Sequence, residues 1–421
     1  MRALFIILTI ASPFFSLCQD NNTKSIIADS GKYEFKRQAK LDTPDYSIAY
    51  RILTNQVRQN PKSAELRYFL GYVIDRISYV DGEAMALQNI DVTIKTSEQF
   101  EKVNELEPIY KGEIFVLDPY SKISSTWGSL AAAYLNRSLI DSAKWAFSEG
   151  KKRGGFIHPM LEFNKQLLNS CDKNAILITS GDNTTFPCWY LQNVENFRGD
   201  ITVIDANLLA CKWFPKYLKN QNKIIFSFSD SDIEKMDYEE WSEKKITLTN
   251  SNDTNQKVSW EMKPSYLKNY ILRNNILLAD LIKENYFSRP IYFYYSVDST
   301  QNDNLDQFYI NKGLVNKLDF AFNKDEEDTS QLKTNLTKYN VNGLKNAELI
   351  KSHDAIELLN GLRYVYYLNI DRLFSKGYVG FSKRLVAEMK SKFSKALLPY
   401  SSKESEKTYQ DIFNYVENYK E

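Results

Sequence analysis

The apolar residues change their period at Lys173, and no other feature constrains the fold as strongly. Before that point, from about Tyr46 to Ser170, apolar side chains recur at i, i+3 and i+4, the spacing of helices that bury one face. After it, short apolar runs alternate with helical stretches. "NAILITSGD" reads as a buried strand, and "FPCWYLQNVENF" as a helix with Pro187 in its first turn, where a missing N–H costs nothing. "DITVIDANLL" reads as a second strand, "CKWFPKYLKNQ" as a helix-like connector and "KIIFSFSDSD" as a third strand. Strand–helix–strand units of this length close as right-handed parallel crossovers.

The expected class is therefore α + α/β. Residues 19–172 form helical hairpins, 173–325 a Rossmann-like α/β domain, 326–345 a polar loop and 346–421 a C-terminal helical region. Within the middle unit, "DIEKMDYEEWSEKK" is an acidic helix-like patch. "KITLT" and "KVSWEM" flank a polar stretch and suggest a hairpin. "SYLKNYILRNNILLADLIKENYF" predicts a long amphipathic helix, and "RPIYFYYSVD" a further strand that opens on Pro290.

The first unit carries a recognisable pattern. Asn60-Pro61 separates two helices, and Ala49, Leu53 and Pro61 precede Leu70-Gly71. "WGSLAAAYLNRSLIDSAKWAFSEG" places Trp127, Leu130, Ala131, Tyr134, Ala143 and Phe147 where small residues let two helices approach and large ones fill the groove between them. Both stretches resemble tetratricopeptide hairpins. The step from Leu70-Gly71 to Leu130-Ala131 is 60 residues, not a multiple of the roughly 34-residue repeat. An irregular array with "GEIFVLDPYSKIS" inserted is expected. Such arrays bind on their concave face or prop a neighbouring domain.

Residues 1–18 have one positive charge at Arg2, an apolar stretch from Ala3 to Ala11, and small residues at Ser16 and Cys18. This reads as a secretory signal peptide cleaved before Gln19. A membrane anchor and a lipid-bearing Cys18 are the alternatives. Removing the segment takes away Arg2 and leaves a net charge of zero, so nothing steers the chain towards nucleic acid. No later run is long and apolar enough to span a membrane. Three cysteines then remain, Cys171, Cys188 and Cys211, enough for one disulfide at most. None forms a Cys-x-x-Cys pair, and buried thiols are the preferred reading. The chain has only two histidines. A His-rich metal site and a cofactor are not expected, no Ser-His-Asp or Cys-His set can be assembled, and His158 and His353 read as surface or capping residues.

Open α/β sheets bind ligands beyond the carboxyl ends of their strands. Three expected strand ends carry acids: Asp182, Asp205, and Asp230 with Asp232. Asp182, Asn183, Thr184, Asp205 and Asn207 are the candidate ligand-binding residues, suited to sugar hydroxyls or a shared cation. The competing reading is structural, because Asp, Asn and Thr at these places are also the usual turn and N-cap residues; it is preferred. "GDNTT" has one glycine and no lysine, unlike a phosphate loop. "DSD" formally matches the Asp-x-Asp of one class of glycosyltransferases, on three letters only. Trp189 and Tyr190, and Tyr292 to Tyr295, read as core.

"GDNTTFPCWYLQNVENFRGDITVIDANLL" resembles a signature of a bacterial family of uncharacterised envelope membrane proteins. These have a transmembrane region similar to protein O-mannosyltransferases, followed by a soluble extracytoplasmic part. That part typically reads Gly-Asp-Asn-Asp-Thr-Phe-Pro-Leu-Trp-Tyr-Leu-Gln, then an Arg-x-Asp-Val strand. "DLIKENYFSRPIYFYYSVD", "YINKGLVNKLDF" and "GLRYVYYLNIDRLF" resemble later segments, so the likeness covers roughly 170–421. Thr184 stands where the family has Asp, and Cys188 where it has Leu. The multi-helix membrane region is lacking. The resemblance implies a free-standing relative of an accessory module. Together these features point to a non-enzymatic extracytoplasmic protein that binds a protein or glycoprotein partner in the cell envelope. The alternative is a glycan-related enzyme or sugar-binding accessory using the Asp182/Asp205 crevice.

Overall fold

The computed structural model describes residues 30–78, 81–250, 253–264, 269–301, 304–321 and 335–419. The expected signal peptide, Cys18 and residues 326–334 of the polar loop lie outside these. The described residues are helical at both ends with small mixed sheets between, an α + α/β architecture.

Seven helices come first: α1 (Ser30–Gln38), α2 (Ser47–Gln59), α3 (Ala64–Ser78), α4 (Ile90–Leu106), α5 (Pro119–Asn136), α6 (Ile140–Lys152) and α7 (His158–Asn169). Successive helices from α1 to α4 pack as neighbours, as do α4 with α5 and α5 with α6. Trp127, Leu130, Ala131, Ala143 and Phe147 are wholly buried between α5 and α6, and Tyr134 is half-buried. A Cβ on Gly150 would stand 2.6 Å from that of Trp127, so glycine sets the closeness of this crossing. The expected insertion is non-helical only over 112–118; its last six residues, Pro119 to Ser124, begin α5. It lies on two tyrosines that satisfy its backbone: the Tyr68 and Tyr72 hydroxyls each donate to Leu117 O (2.8 and 3.2 Å) and accept from Phe115 N and Leu117 N (2.8 Å each).

The main sheet has five strands in the order β2 (Thr202–Asp205), β1 (Ile176–Thr179), β7 (Ile291–Tyr294), β9 (Val315–Leu318) and β8 (Tyr309–Asn311). The first three are parallel, and β9 and β8 add on antiparallel. β1, β2 and β7 are buried along their whole length, which explains their unbroken apolar runs. The expected hairpin is present as β4 (Lys244–Asn250) with β5 (Asp253–Met262). A short pair joins β3 (Glu239–Glu240) to β6 (Tyr270–Ile271).

Three local expectations are corrected. The run 223–229 is not a strand. Ile224 and Phe226 are buried, but their backbone is held by side chains of α11 (Arg273–Asn285). Asn285 Oδ1 accepts from Ile225 N (3.2 Å), Asn285 Nδ2 donates to Ile225 O (2.8 Å), and Asp280 accepts from Ser227 N (2.8 Å). With those bonds made, the run needs no ladder, and β7 takes the place beside β1. The acidic patch is helical only over α10 (Asp230–Lys235), where a Ser229–Asp232 capping box closes the first turn. The third concerns α8 (Asp182–Asn193), which begins four residues before Phe186 and so places Pro187 inside the helix. A proline there leaves the carbonyl four residues back without its helical donor. Asn164 Nδ2 on α7 donates to that carbonyl, Asn183 O, at 3.0 Å.

The remaining helices are α9 (Trp213–Asn220), α12 (Asn346–Leu349), α13 (His353–Ser375), α14 (Val379–Lys392) and α15 (Lys403–Asn418). Arg363 of α13 is fully buried and makes no ion pair among the described residues. It donates to Phe393 O and Pro399 O and lies 4.1 Å over the Tyr400 ring, tying the end of α14 and the following turn to α13.

α5 and α8 cross where Gly128 faces Phe186, and a Cβ there would meet the ring at 2.4 Å. Gly128→Ala is expected to destabilise the protein by about 1–3 kcal/mol, the usual cost of overpacking, read as a lower urea midpoint with an unchanged slope.

Candidate functional site at the carboxyl ends of the parallel strands

β1 and β2 run in register, with Thr179 opposite Asp205, so residues 180–183 and 206–207 leave the sheet side by side. Gly181 turns the chain with φ 87°, a left-handed value that favours glycine, and α8 starts at the next residue. The five candidates are therefore neighbours, as the sequence suggested. Each also makes hydrogen bonds within the protein.

Asp205 is buried and its carboxylate is fully engaged. One oxygen accepts from Gly181 N (2.9 Å) and Thr185 Oγ1 (2.6 Å); the other accepts from Asn207 N (2.8 Å) and Leu208 N (3.3 Å). Burial raises its pKa, and the hydrogen bonds oppose that. It joins the turn after β2 to the turn after β1. Thr184 is buried and donates to the carbonyls of Ser180 (3.0 Å) and Gly181 (3.2 Å). Asp182 accepts from Ser125 Oγ of α5 at 2.6 Å. Asn207 is exposed and belongs to a closed triangle: its Nδ2 donates to Ser180 Oγ (3.2 Å), Ser180 Oγ donates to Gln301 Oε1 (3.2 Å), and Gln301 Nε2 donates to Asn207 Oδ1. Asn183 Nδ2 donates to Asp354 at 3.4 Å, while its Oδ1 is buried without a partner among the described residues.

Gln301, Ser125 and Asp354 were not singled out from sequence. Gln301 sits in the polar run after β7, where only the general rule about strand ends points to it. The other two reach the site from helices 57 and 172 residues away from Asp182 in the chain, and no local signal marks them. Beyond β7, Tyr295 packs against α13, where a Cβ on Gly361 would lie 2.5 Å from its hydroxyl.

Next to this edge, the first turns of α5 and α13 cap each other. Asp118 N donates to Asp354 Oδ2 (3.0 Å), and Asp354 N donates to Asp118 Oδ2 (2.9 Å). Asp118 also accepts from Ser121 N (2.9 Å) and from Ser352 Oγ (2.5 Å). Burial, and next the charge of Asp354, push the Asp118 carboxyl up to about 7. His353 lies 3.6 Å from Asp354, which raises its pKa. His158 is exposed on α7, 3.8 Å from Glu162. Asp230 pairs with Lys219 at 2.8 Å and Asp232 serves the capping box, so the Asp-x-Asp match marks a helix start. Cys171, Cys188 and Cys211 are buried free thiols, and burial pushes each thiol pKa up. Among the described residues, no group of three or more His, Cys, Asp or Glu is placed to hold a metal ion.

Residues 160–263 and 233–336 each match the family profile described as TMEM260-associated domain 2. The two matches overlap and together take in all five candidates, the main sheet and the β4–β5 hairpin. No curated protein and no solved structure matches the chain. Within the matched region, Arg198 and Asp200 pair at 2.9 Å; Arg198 Nη1 donates to Leu168 O near the end of α7 (2.9 Å), and Asp200 accepts from Asn174 N (3.0 Å). The arginine and aspartate ahead of β2 thus lock the helix before β1 to the strand after it.

Asp205→Ala leaves several buried donors unpaired. At about 1–3 kcal/mol for each unsatisfied group, a loss of at least about 3 kcal/mol is expected in urea unfolding.

The Asp118–Asp354 pair sets a pH dependence. Asp118 titrates near 3.8 when unfolded and near 7 when folded, so the folded state holds the proton more tightly. Its contribution is fully present below pH 3.8 and is lost as pH rises to about 7. The raised pKa of His353 acts with the same sign. Asp354→Asn keeps an acceptor oxygen but removes the neighbouring charge. It is expected to flatten the fall in unfolding free energy between these limits.

Proposed function

We propose that this chain is a non-enzymatic, extracytoplasmic binding protein of the cell envelope whose partner is a protein or glycoprotein. The observation that carries this reading is the engagement of Asp205: four donors occupy its carboxylate, and Gln301 bonds to Ser180 and Asn207 at the same strand ends. The helices α1 to α6, read as irregular tetratricopeptide hairpins, then become the binding part. The matched region, read as a Rossmann-like layer, becomes their support. The apolar N-terminal stretch with Arg2 supports export, and among the described residues no helix is long and apolar enough to cross a membrane. The match to a domain named for its association with TMEM260 supports a place beside a membrane protein.

One observation favours the second reading, a sugar-binding accessory or glycan-related enzyme. Asn183 Oδ1 is buried without a partner among the described residues, just beyond the end of β1, beside which the turn bearing the exposed Asn207 leaves β2.

A photo-reactive amino acid placed at position 59 in the hairpins, or at position 207 on the strand edge, tests the two readings in cells that export the full chain. A discrete protein adduct from position 59 and none from 207 is expected. Adducts from neither, with calorimetric binding of a sugar that Asp182→Ala abolishes in a folded protein, would replace the first reading by the second.

A further inference from the structure

We propose that the amino-terminal hairpins take an acidic peptide segment with an apolar anchor residue, in a groove running from the α2–α3 turn along α1; this rests on the reading of the chain as a protein-binding protein. Two cavities lie side by side here and share Lys32. One, of about 600 Å³, is bounded by the end of α2, the turn 60–63 and the start of α3; the other, of about 380 Å³, follows α1. Lys32, Lys36, Arg37, Lys40 and Lys62 line them, against Glu65 as the one acid among the described lining residues and Glu34 and Glu113 beside them.

That excess departs from the chain as a whole, whose formal net charge is +1. Three of the cations are partly neutralised. Lys32 bridges Glu65 and Glu113 at 2.9 Å each, Lys36 pairs with Glu113 at 2.5 Å, and Arg37 pairs with Glu34 at 2.7 Å. Lys40 and Lys62 are exposed and make no ion pair among the described residues, so two cations stand at opposite ends of the groove. The first turn of α3 faces the larger cavity, with its partial positive charge, and is capped by Ser63 Oγ accepting from Leu66 N at 3.3 Å.

Charge alone would suit any anion. The larger cavity has an apolar floor in Pro61 and Leu66; the Phe69 ring beneath is buried, with Lys32 5.4 Å from its centroid. A free phosphate or a uniformly anionic polysaccharide leaves that floor uncovered. A peptide with a leucine, isoleucine or phenylalanine between carboxylates covers the floor and meets the cations at both ends.

Random twelve-residue peptides displayed on phage and selected against the full exported chain test this. The expected enrichment is for Asp or Glu flanking a large apolar residue. A synthetic copy of the best peptide should bind at least about tenfold more weakly to the Lys40→Glu, Lys62→Glu variant, and more weakly as salt rises. Leu66→Ser should lower the affinity for that peptide with little effect on binding of alginate, the polysaccharide control. Peptides whose affinity ignores the two lysine reversals would overturn the groove and leave the protein-binding reading standing; absence of any adduct in the cross-linking experiment removes the reading itself. Alginate binding tighter than any selected peptide would overturn the proposal in favour of a polyanion. Binding that appears only with Ile26→Ser and Ile27→Ser would overturn it in favour of the chain's own preceding segment.

Discussion

Helix α5 is buried on nearly every side, and that constraint organises the molecule. α4, α6, α8 and α9 all pack against it. Its small residues, Ser124, Ser125, Gly128 and Ala131 to Ala133, let these neighbours come close. A helix this deep cannot leave its first turn to water. Asp118 meets that need at Ser121 N, but an aspartate buried there needs donors of its own, and Ser352 Oγ with Asp354 N supplies them. The need for donors at the start of α5 thus ties the C-terminal helices to the amino-terminal ones, across 236 residues of chain.

The same logic recurs at the strand ends. Two tight turns after β1 and β2 present backbone N–H groups towards each other, and Asp205 lies between them. Ser125 of α5 meets Asp182 at the start of α8, so the buried helix and the sheet edge form one hydrogen-bonded assembly. Acidic residues that would make a ligand site in an open crevice here act as internal acceptors. The chemistry of a carboxylate is the same in both roles; what differs is whether donors from the protein or from a ligand reach it first.

Much of the fold was legible. The period change at Lys173, the hairpin around 250, the buried strands 176–179, 202–205 and 291–294, and the tight α5–α6 pair each follow from local spacing. The candidate cluster was legible as a neighbourhood, because register places Thr179 beside Asp205. Its chemistry was not. Gln301, Ser125 and Asp354 reach the strand ends from distant segments, and Pro187 looked like a helix start because its compensation comes from Asn164 on another helix.

The sequence by itself determined most of the helical segments and the buried strands 176–179, 202–205 and 291–294, since period and turn residues are local properties. It also determined the acidic, amide and hydroxyl character of the strand ends. Only the tertiary structure decided that 223–229 leaves the sheet while 291–294 enters it, because a place beside β1 is contested and Asp280 and Asn285 satisfy the loser's backbone. It likewise decided that Asp205 faces inward. An aspartate after a strand is a cap or a ligand according to which donors surround it, and those donors are assembled only when segments far apart in the chain meet.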